Sequence, residues 1–163
     1  IDPKALWLNT QHLRTMPVER LAPRVREAME RAGLAVPEDE ARFREIVDII
    51  RSRYQVLGDF PEKGQAYFSD TYETTPEALE NLDKPQAREL LRELGVRLSA
   101  GADFSEARIE AELRAVAGEH GVKAGLLING SRAALTGQTV GPGAFAVFTA
   151  VGRERALARL AAL

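Results

Sequence analysis

Between positions 38 and 57, Phe43, Ile46, Val47, Ile50, Tyr54 and Leu57 recur at spacings of three and four. That period gathers them on one side of an α-helix and does not suit a strand, whose sides alternate every two residues. It predicts a single helix over 38–57, stopped by Gly58. The same kind of signal runs along nearly the whole chain. Asp2-Pro3 is a cap followed by proline at the first helical position, and it opens a helix over 3–14. Further helices are predicted over 17–32, 84–94, 105–118, 123–136, 144–151 and 153–162, punctuated by Pro17, Gly33 and Gly152. The stretch from Asp59 to Leu79 is rich in aromatics and broken by Pro61 and Pro76; it reads as a short helix plus a connector. No run shows strand alternation between hairpin turns, so the fold class is all-α. The connector near 58–82 separates two helical halves.

The chain has 163 residues, 45% of them hydrophobic, enough for one packed domain or two small ones. It has no cysteine and only two histidines, His12 and His120, far apart in sequence. A disulfide framework and a thiolate metal site are excluded, and no metal ligands are expected. No window reaches the ~18 consecutive apolar residues of a membrane span. The first residues lack a signal-peptide pattern, and a start at Ile1 rather than Met leads to the expectation of a portion of a longer chain. Net charge is −2 but unevenly spread. Residues 59–90 carry eight acids against three bases, and residues 121–163 carry five bases against one acid. An anionic partner would approach the C-terminal part. Alternatively, the acidic segment would dock a basic protein, as in a helical protein–protein interaction module without RNA specificity.

Two features bear on recognition. On the stripe helix, at 100° per residue, Arg53 falls about 40° beyond one edge of the apolar face and Arg51 beyond the other. Arg53 can lay its stem along the core and hold its planar head at the rim, a posture suited to a base edge or a carboxylate. The second feature is the corner "SRAALTGQTVGPGAF", residues 131–145, where Gly137, Gly141, Pro142 and Gly143 follow Arg132. It is neither a phosphate loop nor a dinucleotide fingerprint. On the residues alone, a paired surface arginine and a plain helix–helix turn account for both features. Trp7 reads as core and Asn9 as a cap or a surface residue. No nucleophile, acid–base pair or other catalytic residue is visible.

The ends and the middle together resemble one family. "IDPKALWLNTQHLR" is similar to the segment following the catalytic half of bacterial glutamyl-tRNA synthetases, "RSRYQVLGDF" to their middle, and "GVKAGLLINGSRAALTGQTVGPGAFAVFTAVGRERALARL" to their C-terminal segment. The resemblance implies the C-terminal anticodon-binding region of a class I ligase, an all-helical cage of two subdomains. Residues 17–72 would be the first and 73–163 the second, with 1–16 left over from the stem-contact region. Lys4, Trp7 and Asn9 lie where the family has its stem-contacting Lys, Trp and Asn. Arg53 falls on the arginine that reads the third anticodon base and Arg132 on the one that contacts the first. The loop from Thr139 through Gly141 to Pro142 falls where the middle base is met. Ala144 takes the place of an apolar residue near the splayed bases. Asn129, Gly130 and Ser131 stand where the family has His-Pro and an apolar residue, and Gly141 where it often has Ser or Thr. The resemblance further implies tRNA(Glu) or tRNA(Gln) as partner, no DNA, no membrane, and a cytoplasmic monomer. No cofactor is expected in this chain; ATP and magnesium belong to the catalytic domain of the parent ligase, whose signature motifs are absent here.

Overall fold

Capping side chains and prolines set where several helices begin. The computed structural model describes residues 2–163. Among them are eleven α-helices and one 3-10 turn, with no strand. By contact the chain divides into two compact units, Ile1–Thr71 and Tyr72–Leu163.

In the first unit, α1 (Pro3–Thr15) starts on Asp2, whose carboxylate accepts the Lys4 amide. α2 (Val18–Arg31) buries Leu21, Val25 and Met29. α3 (Glu40–Ile50) starts on Asp39, which accepts the Arg42 amide at 3.1 Å, and buries Phe43, Ile46, Val47 and Ile50. Two short helices follow, α4 (Asp59–Lys63) and α5 (Gln65–Phe68). Phe43 meets Phe68 with ring centroids 5.6 Å apart, and the Arg26 guanidinium lies over the Phe43 ring, 4.6 Å from its centroid.

The helix predicted over 38–57 is shorter than its stripe. α3 ends at Ile50, a 3-10 turn covers Arg51–Arg53, and Tyr54 is extended. The cause is a carboxylate from further along the chain. Oδ2 of the buried Asp59 accepts the amides of Gln55 and Val56, at 2.8 and 3.2 Å. Those amides would have continued the helical ladder, and a side-chain acceptor diverts them. Tyr54 is still buried, edge-on to Phe60 at 4.8 Å.

In the second unit, α6 (Pro76–Asp83) is a full helix where the sequence suggested a connector; Thr75 accepts the Ala78 amide and Pro76 fills the first turn. α7 (Ala87–Ser99) starts three residues later than predicted and runs five further. Pro85 keeps Lys84 extended, and Gln86 is left-handed at φ +70°. The end is carried outward by the buried Leu94 and Leu98. α8 (Glu106–Glu119), α9 (Ala124–Thr136), α10 (Ala144–Val151) and α11 (Arg153–Ala161) lie close to the predicted spans. α9 packs against α6, α7, α8, α10 and α11, so the core of this unit is built around it.

α9 ends on Gly137 at φ +71°, where the main chain of residues 73–75 crosses closely. A Cβ there would stand 2.2 Å from the Glu73 carbonyl oxygen. Gly137→Ala is expected to lower stability by about 3 kcal/mol, combining left-handed strain with a backbone clash. Gly118→Ala, in open space near the end of α8, is expected to be neutral or to stabilise by up to about 1 kcal/mol. Urea denaturation of the two variants checks both.

Candidate nucleic-acid interface

The two arginines on either side of Ser52 have opposite fates. Arg51, placed by the sequence beyond an edge of the apolar stripe, is buried. Its Nε donates to the Leu13 carbonyl at 2.7 Å, its Nη2 to the Met16 carbonyl, and its Nη1 to Asp48 at 3.1 Å. It therefore closes the C-terminus of α1 against the turn that carries Arg53. Arg53 is exposed and has no hydrogen bond or ion pair among the described residues. A guanidinium that stays hydrated and unpaired, on a turn fixed by its buried neighbour, is available to a planar acceptor. The stripe could not reveal Arg51 as the fixing group, because the carbonyls it closes lie more than thirty residues back.

Tyr54, the residue after Arg53, is buried. Burial pushes the Tyr54 phenol above its ordinary value, and the neighbouring Tyr67 and Asp59 push the same way.

The corner after α9 is braced from both sides. Thr136 Oγ1 donates to the Arg132 carbonyl at 2.7 Å and accepts the Gln138 amide at 3.2 Å. The Thr75 amide donates to the Gly137 carbonyl at 2.9 Å, and the Tyr72 hydroxyl to the Ala134 carbonyl at 3.0 Å. Arg132 is half-buried, and its Nη2 donates to the Pro142 carbonyl at 3.1 Å. The guanidinium thus spans the base of the loop. Thr139 and Val140 are exposed, Gly141 is half-buried, and Pro142 is buried. Ala144, at the first position of α10, is only 6% exposed, so little of its methyl group is open to a base. Val140, 63% exposed, is the apolar side chain this corner presents; the sequence reading passed over it.

On α1, Trp7 is 60% exposed, against the expectation of a core residue. The inner face of this helix is supplied by Thr10 and Leu13 instead. Lys4 and Asn9 are exposed as well, but the three do not share a face. At 100° per residue Trp7 lies about 60° from Lys4 and about 160° from Asn9. Asn9 turns to a cleft that α1 forms with α2.

The chain is an all-helical module whose two units each carry a braced loop with a guanidinium group. The chain belongs to the anticodon binding domain family, whose model matches residues 18–163. It is 41% identical over 160 residues to glutamate–tRNA ligase 2 of Koribacter versatilis, covering 97% of this chain and 33% of that protein. It is 39% identical over 158 residues to a glutamate–tRNA ligase of Thermus thermophilus, covering 96% of this chain and again 33% of that protein. A crystal structure of a glutamate–tRNA ligase from Elizabethkingia meningosepticum shares the fold, with a TM-score of 0.78 at 22% identity over 96% of this chain and 31% of that one. The chain therefore spans about a third of the length of the relatives it matches. The family match gives no support to the reading as a protein-docking adaptor. No helix among the described residues is long and apolar enough to cross a membrane.

Replacing Arg51 by Met is expected to cost about 3 kcal/mol, since carbonyls at the end of α1 lose their donors, and thermal or urea melts measure it. The raised Tyr54 pKa also fixes a sign. The neutral phenol is favoured in the folded state, so its contribution is fully present below about pH 10 and is lost as pH rises further. Tyr54→Phe should flatten the alkaline fall in stability, read from urea midpoints across that range.

Proposed function

We propose that this chain reads the anticodon of tRNA(Glu) for a glutamate–tRNA ligase whose catalysis resides in the remaining two thirds of the parent. The observation that carries this is Arg53: an exposed, unpaired guanidinium on a turn clamped by Arg51, within a chain of the anticodon binding domain family. Anticodon bases in a loop can unstack, and their edges then become accessible to side chains. A guanidinium forms two parallel hydrogen bonds with a suitable base edge, and each such pair discriminates by about 1–3 kcal/mol. A wrong base leaves a desolvated donor without a partner.

Arg53 takes the third anticodon base. Arg132 contacts the first from the base of the loop, beside its bond to the Pro142 carbonyl. Thr139 and the Gly141 backbone meet the middle one, while the buried Pro142 and Ala144 shape the corner behind them. Lys4 and Trp7 face the stem, with Asn9 on the other side of α1. In this reading residues 1–16 belong to the stem-contact region, 17–72 to the first anticodon-binding subdomain and 73–163 to the second. The module works as a monomer in the cytoplasm, and tRNA(Gln) is the competing or second substrate of the parent.

Selection acts at a distance: only a matched anticodon holds the tRNA so that its acceptor end reaches the catalytic site. The residues present here do not fit ATP or magnesium. The described part holds no cluster of metal-ligating side chains, and the glycine-rich corner lacks the phosphate-loop spacing. No step is derived through either group.

Arg53→Gln should reduce the preference for the matched third base by about tenfold, within the range of one bidentate contact. Fluorescence anisotropy with anticodon stem-loops varied at each position reads it. An equal loss across all variants would assign Arg53 to the backbone instead.

A further inference from the structure

Beside Arg53 lies an open cleft of about 450 Å³, walled by α1, α2 and the segment from Gln55 to Leu57. Its volume is in the range of small-ligand sites. Leu13 and Leu21 form a buried floor, with Met16 and Leu57 half-exposed beside them. Arg20 and Arg24 stand on its rim with the carboxamides of Asn9 and Gln55, and no carboxylate lines it.

The rim cations are notable for what they lack. In the same unit Arg26 is paired with Glu40, Arg31 with Glu27, Arg42 with Glu45 and Arg51 with Asp48. Arg20 and Arg24 are exposed, and their guanidinium groups have no hydrogen bond or ion pair among the described residues. Four residues apart on α2, they are stacked on one face about 6 Å from each other. Glu27, which at three residues along the helix could have neutralised Arg24, is engaged by Arg31.

We infer that this cleft seats one unstacked nucleotide of the anticodon loop, the one that follows the third anticodon base. The base lies on the apolar floor, and Arg20 and Arg24 take the flanking phosphates. The inference rests on the anticodon-reading function proposed above. Gln55 follows Arg53 by two residues, so their Cα atoms are at most about 7.6 Å apart, within the reach of one nucleotide step. Of the two nucleotides next to the third anticodon base, the proposed function already assigns the middle base to Thr139 and Gly141, which leaves the following one for this cleft. The lining also includes the His12 ring, the kind of planar group on which splayed bases of single-stranded RNA stack, and the carboxamides of Asn9 and Gln55 offer hydrogen bonds to base edges.

The test uses this chain and anticodon stem-loops, intact or abasic at the nucleotide after the third anticodon position. Met16→Trp fills the cleft from a half-exposed position. It is expected to weaken binding of the intact loop about fivefold to tenfold, the range of one stacked base. The abasic loop should bind wild type with the same loss and should lose nothing more to Met16→Trp. Losses that multiply, or an abasic loop that binds wild type as well as the intact one, would overturn the assignment. Arg20→Gln combined with Arg24→Gln should reduce the slope of log affinity against log salt by about 1.4, or roughly 0.7 for each of two phosphates. An unchanged slope would count against their phosphate contacts. Millimolar AMP should not displace the loop; displacement would make the cleft a free-nucleotide site and overturn its RNA role. The function itself fails separately, if wild type shows no preference among loops varied within the anticodon, and the inference then falls with it.

Discussion

The carbonyls at helix C-termini are the groups this fold has to satisfy, and guanidinium groups satisfy many of them. An α-helix leaves its last four carbonyls without internal donors. Arg51 closes α1 through Leu13 and Met16. Arg108 closes α7 through the carbonyls of Arg97, Leu98 and Ala100, while Arg153 reaches those of Ser99 and Gly101 just beyond. Arg159 closes α9 at Leu135, and Arg92 holds the carbonyl of Leu163 after α11. With many short helices, each joint is a place where backbone polarity would otherwise be stranded. Arginine suits the task because its fork reaches several acceptors at once.

This division of labour reconciles a net charge of −2 with membership of the anticodon binding domain family. Cations bound to neutral carbonyls still carry their charge, so the basic excess over 121–163 persists as a field although its arginines are mechanically occupied. In the proposed function the field guides approach, and contact is left to groups such as Arg53 that no joint has claimed. Counting basic residues would not separate the two populations. Burial and partner geometry do.

The helical class and most helix spans were legible because amphipathic period, caps and glycine stops are local signals. Thr75-Pro76 was equally local, yet the aromatic-rich connector around it masked α6. The end of α3 was not legible. Its apolar stripe continues past Ile50 through Tyr54, and the carboxylate of Asp59 breaks the helix there by taking the Gln55 and Val56 amides. That is not a property of the stripe. At the candidate site, the position of Arg53 could be named from family likeness, but its rigidity depends on the burial of Arg51. The same holds at the corner: the glycines and proline marked a turn there, whereas the burial of Pro142 and Ala144, and the exposure of Val140, depend on packing. Trp7 shows the limit of a residue-type rule, because Thr10 and Leu13 fill the inner side of α1 and leave the indole outside.

The crowding at the end of α9 has a historical consequence. What obstructs a side chain at Gly137 is the main chain of residues 73–75, common to every amino acid that could stand there. A tight spot between two side chains can be relieved by trimming one of them, so such positions drift in matched pairs. Here no partner exchange opens the space. Descendants of this sequence are free to vary what projects from Glu73 and Thr74, but they inherit the glycine unless they reroute the chain itself.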